Sequence, residues 1–156
     1  MQIQKTYSLQ EALQRMKTAC DKRERTHWEV REKLIKWALG TKDREDVIAT
    51  LISDNYLNEE RYAIAFANDK SRFFSWGPKK IMVMLRLKGI SEINIANALK
   101  QLDGQSTQAL MKELYEKQKR KWPKIPERQM KLKMARFLIG KGYESSEVWS
   151  LLNNPE

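Results

Sequence analysis

Side chains able to carry acid–base, nucleophilic or metal chemistry are scarce and scattered in this sequence, whereas cations are abundant and clustered. His27 is the only histidine and Cys20 the only cysteine among 156 residues. A zinc site needs several convergent His, Cys or carboxylate ligands, and general bases at neutral pH are most often imidazoles, so neither device is expected. His27 follows Thr26 and is read as a surface residue at a helix start. Cys20 lies in helical register with Leu9, Leu13 and Met16 and is read as a small buried hydrophobe. Carboxylates gather as Asp43, Glu45 and Asp46 and as Glu59 and Glu60, where helices begin and the helix dipole favours negative charge. The glycines are isolated, which excludes phosphate-cradling loops of the Walker or dinucleotide type. An enzyme is not expected, and no cofactor is implied.

The cations are a different matter. Thirty Lys and Arg against twenty Asp and Glu give a net charge of +10, which points to an anionic partner. Residues 111–141 hold eleven basic and three acidic side chains, whereas residues 42–69 hold three and seven. A solvated helix face mixes its signs, and the 111–141 stretch does not. The candidate binding residues are Lys79, Lys80, Arg86 and Lys88, then Lys119, Arg120 and Lys121, then Arg128, Lys131, Lys133, Arg136 and Lys141, with Lys117 and Lys124 between the groups. Such a ridge suits a phosphate backbone: each phosphate neutralised adds about 0.9 to the salt slope on duplex DNA or about 0.7 on a single strand. Aromatic residues that would stack on bases are few. Phe73, Phe74 and Trp76 precede Gly77-Pro78, and Trp122 precedes Pro123. Phe73 and Trp76 are read as a plug between helices, and Trp28, Trp37 and Trp149 as packing. Trp122 fits either packing or stacking.

Helices must carry these cations. The composition, 32% charged and 41% apolar with four Pro and six Gly, suits amphipathic helices rather than a sheet or a disordered tail. No apolar run approaches the roughly 18 residues of a membrane span, and MQIQKTYSLQ lacks the apolar centre of a signal peptide, so a cytoplasmic protein is expected. Met1 to Tyr7 is expected to be loosely docked. Ser8 heads a first helix, and Thr26 with Glu29 a second that Gly40 ends. A third starts near Asp43 and buries Val47, Leu51 and Ile52. Asn58, Gly77-Pro78 and Ser91 open the next three, with Gly89 as a left-handed stop. Ser106 caps a seventh helix carrying Leu110 and Leu114. Pro126 starts an eighth with Met130, Met134, Phe137 and Leu138, and Gly142 stops it before a last helix.

An internal repeat organises this series. Leu85, Gly89, Ile90, Ile95 and Leu99 match Leu138, Gly142, Tyr143, Val148 and Leu152 at a constant offset of 53. The first unit fits more loosely: Val47 and Leu51 lie 48 before Ile95 and Leu99, while Gly40 is one residue out of step with Gly89. Periods near 50 mark stacked supersecondary units. The expected fold is all-α, three tandem three-helix repeats over 1–56, 57–104 and 105–156 in an elongated, curved array.

The central unit also carries a resemblance. Leu57-Asn58-Glu59-Glu60-Arg61-Tyr62-Ala63, then Trp76-Gly77-Pro78-Lys79-Lys80-Ile81, then Leu85 and Lys88-Gly89-Ile90 resemble the signature of the RecX family of bacterial recombination regulators, with Gly142 as the counterpart of Gly89 in the next unit. The resemblance implies a monomeric, non-enzymatic protein that binds the RecA recombinase filament on single-stranded DNA. It further implies that the protein lodges in the filament groove, blocks extension, and lowers ATP hydrolysis, strand exchange and co-protease activity. Two other readings compete. A free-standing helix-turn-helix-like DNA-binding protein or transcription factor would need Asn, Gln or Arg aimed at base edges, but the second helices are Lys-rich and nearly devoid of Asn and Gln. An adaptor for an acidic protein would bind without nucleic acid.

Overall fold

Side chains able to satisfy the free amides of a first turn set four of the helix starts. In the computed structural model, which describes residues 6–154, Ser8 Oγ accepts from the Glu11 amide at the head of α1 (Leu9–Lys22). Thr26 Oγ1 accepts from the Glu29 amide at the head of α2 (His27–Lys36). Asn58 Oδ1 and Ser91 Oγ do the same for α4 (Glu59–Phe74) and α6 (Glu92–Lys100). Pro78 is the first residue of α5 (Pro78–Leu87), where its missing amide hydrogen had no partner to lose. The remaining helices are α3 (Thr41–Ser53), α7 (Gly104–Lys121), α8 (Glu127–Gly140) and α9 (Ser145–Asn153). Among the described residues there is no strand, and no helix is long and apolar enough to cross a membrane.

Three separate cores follow. Ala12, Met16, Val30, Leu34, Val47 and Leu51 join α1, α2 and α3, and Leu57 and Leu39 close that core from the loops. Tyr62, Ala63, Ile81, Leu85, Ile95 and Ala98 join α4, α5 and α6. Met111, Tyr115, Met134, Leu138, Tyr143 and Val148 join α7, α8 and α9. The second helix of each triplet ends in the same way. Leu39, Ile90 and Tyr143 donate their amides to Leu34, Leu85 and Leu138, after a residue of positive φ: Ala38 (62°), Gly89 (79°) and Gly142 (103°).

This alignment corrects the expected end of α2. Gly40 does not stop it; Ala38 takes the left-handed position, and Gly40 stands at the N-terminus of a third helix that begins at Thr41. The equivalent stops are therefore 51 and 53 residues apart. Helix α3 is 13 residues long against nine for α6 and nine for α9. Its added length is close to one turn, so Val47 and Leu51 still face inward. Further departures are local. Ile52 is 45% exposed and Trp28 58%, so neither packs as expected. Met111 and Tyr115 face the third core more fully than Leu110 and Leu114. Ser106 lies inside α7 and donates to Asp103 Oδ2 instead of heading the helix. Of the N-terminal segment, 1–5 lie outside the described residues, while Tyr7 packs edge-on to Trp37 at 5.1 Å.

The two joints between triplets differ in chemistry. Between the first and second, Arg61 Nε donates to Glu24 Oε1 at 2.6 Å, and one terminal guanidinium nitrogen donates to both the Asn55 and Tyr56 carbonyls. Glu59 Oε1 accepts the His27 amide at 3.1 Å and lies 3.0 Å from His27 Nδ1, so a carboxylate of one repeat sits on the positive end of α2 in the other. Between the second and third, main chain meets main chain. The Gly77 amide donates to Lys141 O at 2.7 Å and the Lys79 amide to Gly142 O at 2.9 Å. The Tyr143 hydroxyl donates to Ser75 O at 2.8 Å. A Cβ on Gly77 would lie 2.4 Å from Gly142 C and O, so this approach admits only glycine.

Candidate phosphate-binding surface

The second joint determines which cations meet. With Gly77 bonded to Lys141 and a Cβ on Gly142 lying 2.5 Å from Lys80 Cβ, the start of α5 sits on the end of α8. The main chains of Lys79 and Lys80 thereby meet those of Lys141 and Gly142 from the neighbouring repeat. Lys79 is partly neutralised, since its Nζ lies 3.0 Å from Glu144. Lys80 instead lays its Nζ 4.4 Å from the centre of the Trp76 ring. Its counterpart at the offset of 53, Lys133, lies 4.3 Å from the Trp122 ring. The next equivalent pair repeats the arrangement more loosely, with Lys88 5.7 Å from Phe66 and Lys141 5.9 Å from Phe137. A lysine resting on a ring keeps its ammonium presented to solvent while its stem packs. With Lys119 over the Tyr115 ring at 5.5 Å, five of the expected cations are held in this way.

Others are less available. Arg86 donates through two nitrogens to Glu92, at 2.6 and 3.1 Å. That hydrogen bonding holds the Glu92 carboxyl below the usual carboxylate range and raises the Arg86 guanidinium. Lys131 lies 3.6 Å from Glu127 one turn away. Arg120 donates to the Glu116 carbonyl. Lys121, Arg128 and Arg136 are exposed. Tyr115, Trp122, Ile125, Met130, Met134 and Leu152 help line a cleft of about 470 Å³ whose charged residues are Lys119, Lys124, Lys131 and Glu127. Trp122 packs edge-on to Phe137 at 5.5 Å and also lines this cleft.

The residues on which the family resemblance rests serve mostly to build the array. Leu57, Tyr62 and Ala63 are buried, Arg61 makes the first joint, and Gly77 and Gly142 make the second. Trp76 is half-buried against Phe66. Phe73 does not join it: at 72% exposed it is no plug. A group of cations absent from the expected ridge also appears. Arg15, Lys22, Arg23, Arg25, Lys33 and Lys36 surround a cleft of about 600 Å³ between α1 and α2, with Glu29 and Glu32. They are spread over two helices and the link between them with acidic neighbours, so no run of charge marks them in the sequence.

The described residues do not gather metal ligands: no group of three or more His, Cys, Asp or Glu could hold a metal there. Cys20 is buried, and burial pushes its thiol pKa up, away from reactivity.

Comparison with known proteins gives a consistent result. Residues 58–99 match the profile of the second three-helix domain of RecX, and residues 106–152 that of the third. The chain is 36% identical over 126 residues to a regulatory protein RecX of Bacillus cytotoxicus, and 31% identical over 124 residues to that of Bacillus mycoides. Each alignment covers 80% of this chain and 46% of the relative, so the chain spans about half the length of these relatives. A crystal structure of a regulatory protein RecX superposes with a TM-score of 0.83 at 27% identity, over 94% of this chain and 73% of that one. RecX from Lactobacillus salivarius shares the fold, with a TM-score of 0.84 at 21% identity over 93% and 94% of the two chains. Two domain profiles on successive units, relatives above 30% identity and a shared tandem helical architecture agree: the chain belongs to the RecX family.

Proposed function

We propose that this protein regulates homologous recombination by binding the RecA filament on single-stranded DNA as a monomer, without catalysis of its own. In this reading it blocks filament extension and lowers ATP turnover, strand exchange and co-protease activity. The meeting of the Lys79 and Lys80 main chains with that of Lys141 across the Gly77–Gly142 joint carries the reading. It sets the start of α5 against the end of α8, which supports a basic surface crossing a repeat boundary, as a contact with a long polyanionic assembly requires. The same faces offer few amide side chains for base-edge recognition: α5 has no Asn or Gln and its Arg86 is held by Glu92, and α8 has Gln129 beside Arg128 and Arg136. A sequence-reading factor would need several.

The test uses preformed recombinase filaments on single-stranded DNA. The protein should reduce ATP turnover at near-stoichiometric ratios, and a variant with Lys133→Glu and Arg136→Glu should inhibit at least about tenfold less well. A variant with Lys42→Glu and Lys100→Glu, of equal charge change on exposed positions elsewhere, should inhibit normally. Absence of inhibition by saturating wild-type protein rejects the reading.

A further inference from the structure

Helix α4 ends in an arrangement that neither core packing nor the joints require. Phe73 and Phe74 occupy its last two positions and are 72% and 52% exposed. Successive helical residues point about 100° apart, and neither of these reaches the second core. Cations surround them. Lys70 Nζ lies 4.4 Å from the centre of the Phe74 ring and 5.1 Å from that of Trp76, and the Arg72 guanidinium lies 5.8 Å from that of Phe73. Lys80, from α5, lies 4.4 Å from the centre of the Trp76 ring. Among the described residues, none of Lys70, Arg72 and Lys80 is in an ion pair with a carboxylate. Asp69 is the one acidic residue in the last two turns of α4.

We propose that Phe73 and Phe74 form a base-stacking platform for single-stranded nucleic acid, with Lys70, Arg72 and Lys80 taking the adjoining phosphates. An apolar protein surface laid on the two rings would bury three unpaired cations, at a heavy desolvation cost. An unpaired polynucleotide matches both features, since every base has a π-face and every linkage carries a negative charge. A duplex hides its base faces and matches only the second. The platform is also fixed in place. Ser75 adopts the left-handed conformation and accepts from Tyr143, the Trp76 amide donates back to Lys70 O, and Gly77 is bonded to Lys141. Little ordering is then needed on binding. Lys80 and Lys141 continue the surface into the cationic joint.

This inference rests on the reading that single-stranded DNA lies within reach of the protein, and its test omits the recombinase. Fluorescence anisotropy would compare a short thymidylate oligonucleotide with an abasic one of equal length and charge. Wild-type protein should favour thymidylate by about tenfold, a modest yield for one stacked base. Phe73→Ala with Phe74→Ala should abolish that preference while leaving abasic affinity and the salt slope unchanged; both residues are exposed, so an unaltered melting temperature verifies folding. Phe73→Trp should retain the preference. Equal wild-type affinity for the two oligonucleotides, no binding of either, or a preference that survives the double substitution would overturn the proposal. Filament inhibition measured alongside on wild-type protein keeps the two readings apart: preference without inhibition removes the filament reading alone, and inhibition without preference removes the platform alone.

Discussion

Replacing Gly77 with alanine tests whether the second and third repeats are locked by their main chains. Gly77 has φ of −82°, which alanine adopts freely, so any loss must come from space. The added Cβ would lie 2.4 Å from Gly142 C and O and 2.5 Å from Tyr143 N. These are backbone atoms that cannot swing aside, so the repeats must separate by about 1 Å to restore ordinary contact distances near 3.5 Å. That shift breaks or stretches three hydrogen bonds: Gly77 N to Lys141 O, Lys79 N to Gly142 O, and Tyr143 Oη to Ser75 O. At about 1 kcal/mol each, the loss is about 3 kcal/mol. Gly89 supplies the control. It has φ of +79° and open space around its Cβ position, so Gly89→Ala should cost only the left-handed strain of about 1–2 kcal/mol. Urea denaturation gives the two losses, and amide exchange locates them. The amides at positions 77 and 79 should lose protection in the first variant and keep it in the second. If Gly77→Ala costs no more than Gly89→Ala, with both amides still protected, the steric reasoning is wrong.

Tyr143→Phe should destabilise the protein by about 1 kcal/mol near neutral pH, through the lost bond to Ser75. Burial pushes the Tyr143 phenol up to about 12, whereas the unfolded chain releases that proton near pH 10. Its contribution is thus complete below about pH 10 and lost as pH rises to about 12, a fall of about 3 kcal/mol. The variant lacks this fall, so denaturation across alkaline pH should show the stability ranking reverse before pH 12; a constant gap would contradict it. Arg61→Ala should cost about 1–2 kcal/mol, the pair being partly exposed, because it strips Glu24 of its partner and two carbonyls of their donor. An unmoved denaturation midpoint would show that this joint is ornamental. Glu92→Gln removes the carboxylate that holds Arg86, so the salt slope for single-stranded DNA should steepen by about 0.7. A slope unchanged across a salt titration would place Arg86 off the binding face.

Features with local causes were legible in the sequence. Ser8, Thr26, Asn58 and Ser91 each bond an amide three residues on, and nothing beyond that turn is needed to see it. Gly89 and Gly142 were legible as stops because glycine commonly fills the left-handed position. Gly40 misled for the same reason, since Ala38 fills that position in the first repeat and the Leu34–Leu39 bond holds it there. Adjacent apolar pairs were the second source of error. Leu110-Met111 and Leu114-Tyr115 allow two stripes about one residue apart, and packing against α8 selects the second. Phe73-Phe74 presents the same ambiguity, and there packing selects neither.

Contacts distant in sequence were not legible, and they give the resemblance its physical meaning. Gly77 reads as a helix opener, which it is, yet its backbone also meets Gly142, 65 residues away. Arg61 reads as a first-turn residue, yet its guanidinium joins Glu24 to the end of α3. The two joints should therefore respond differently to the medium. Carboxylates and a guanidinium at partly exposed positions hold the first, so added salt should weaken it. Neutral main-chain bonds and the buried Tyr143 dominate the second, which salt should leave intact. If the proposed filament contact needs the cations of α5 and α8 in fixed register, the second joint is the one that must not yield. High salt that loosened the Gly77 and Lys79 amides before those at the His27–Glu59 contact would reverse this assignment.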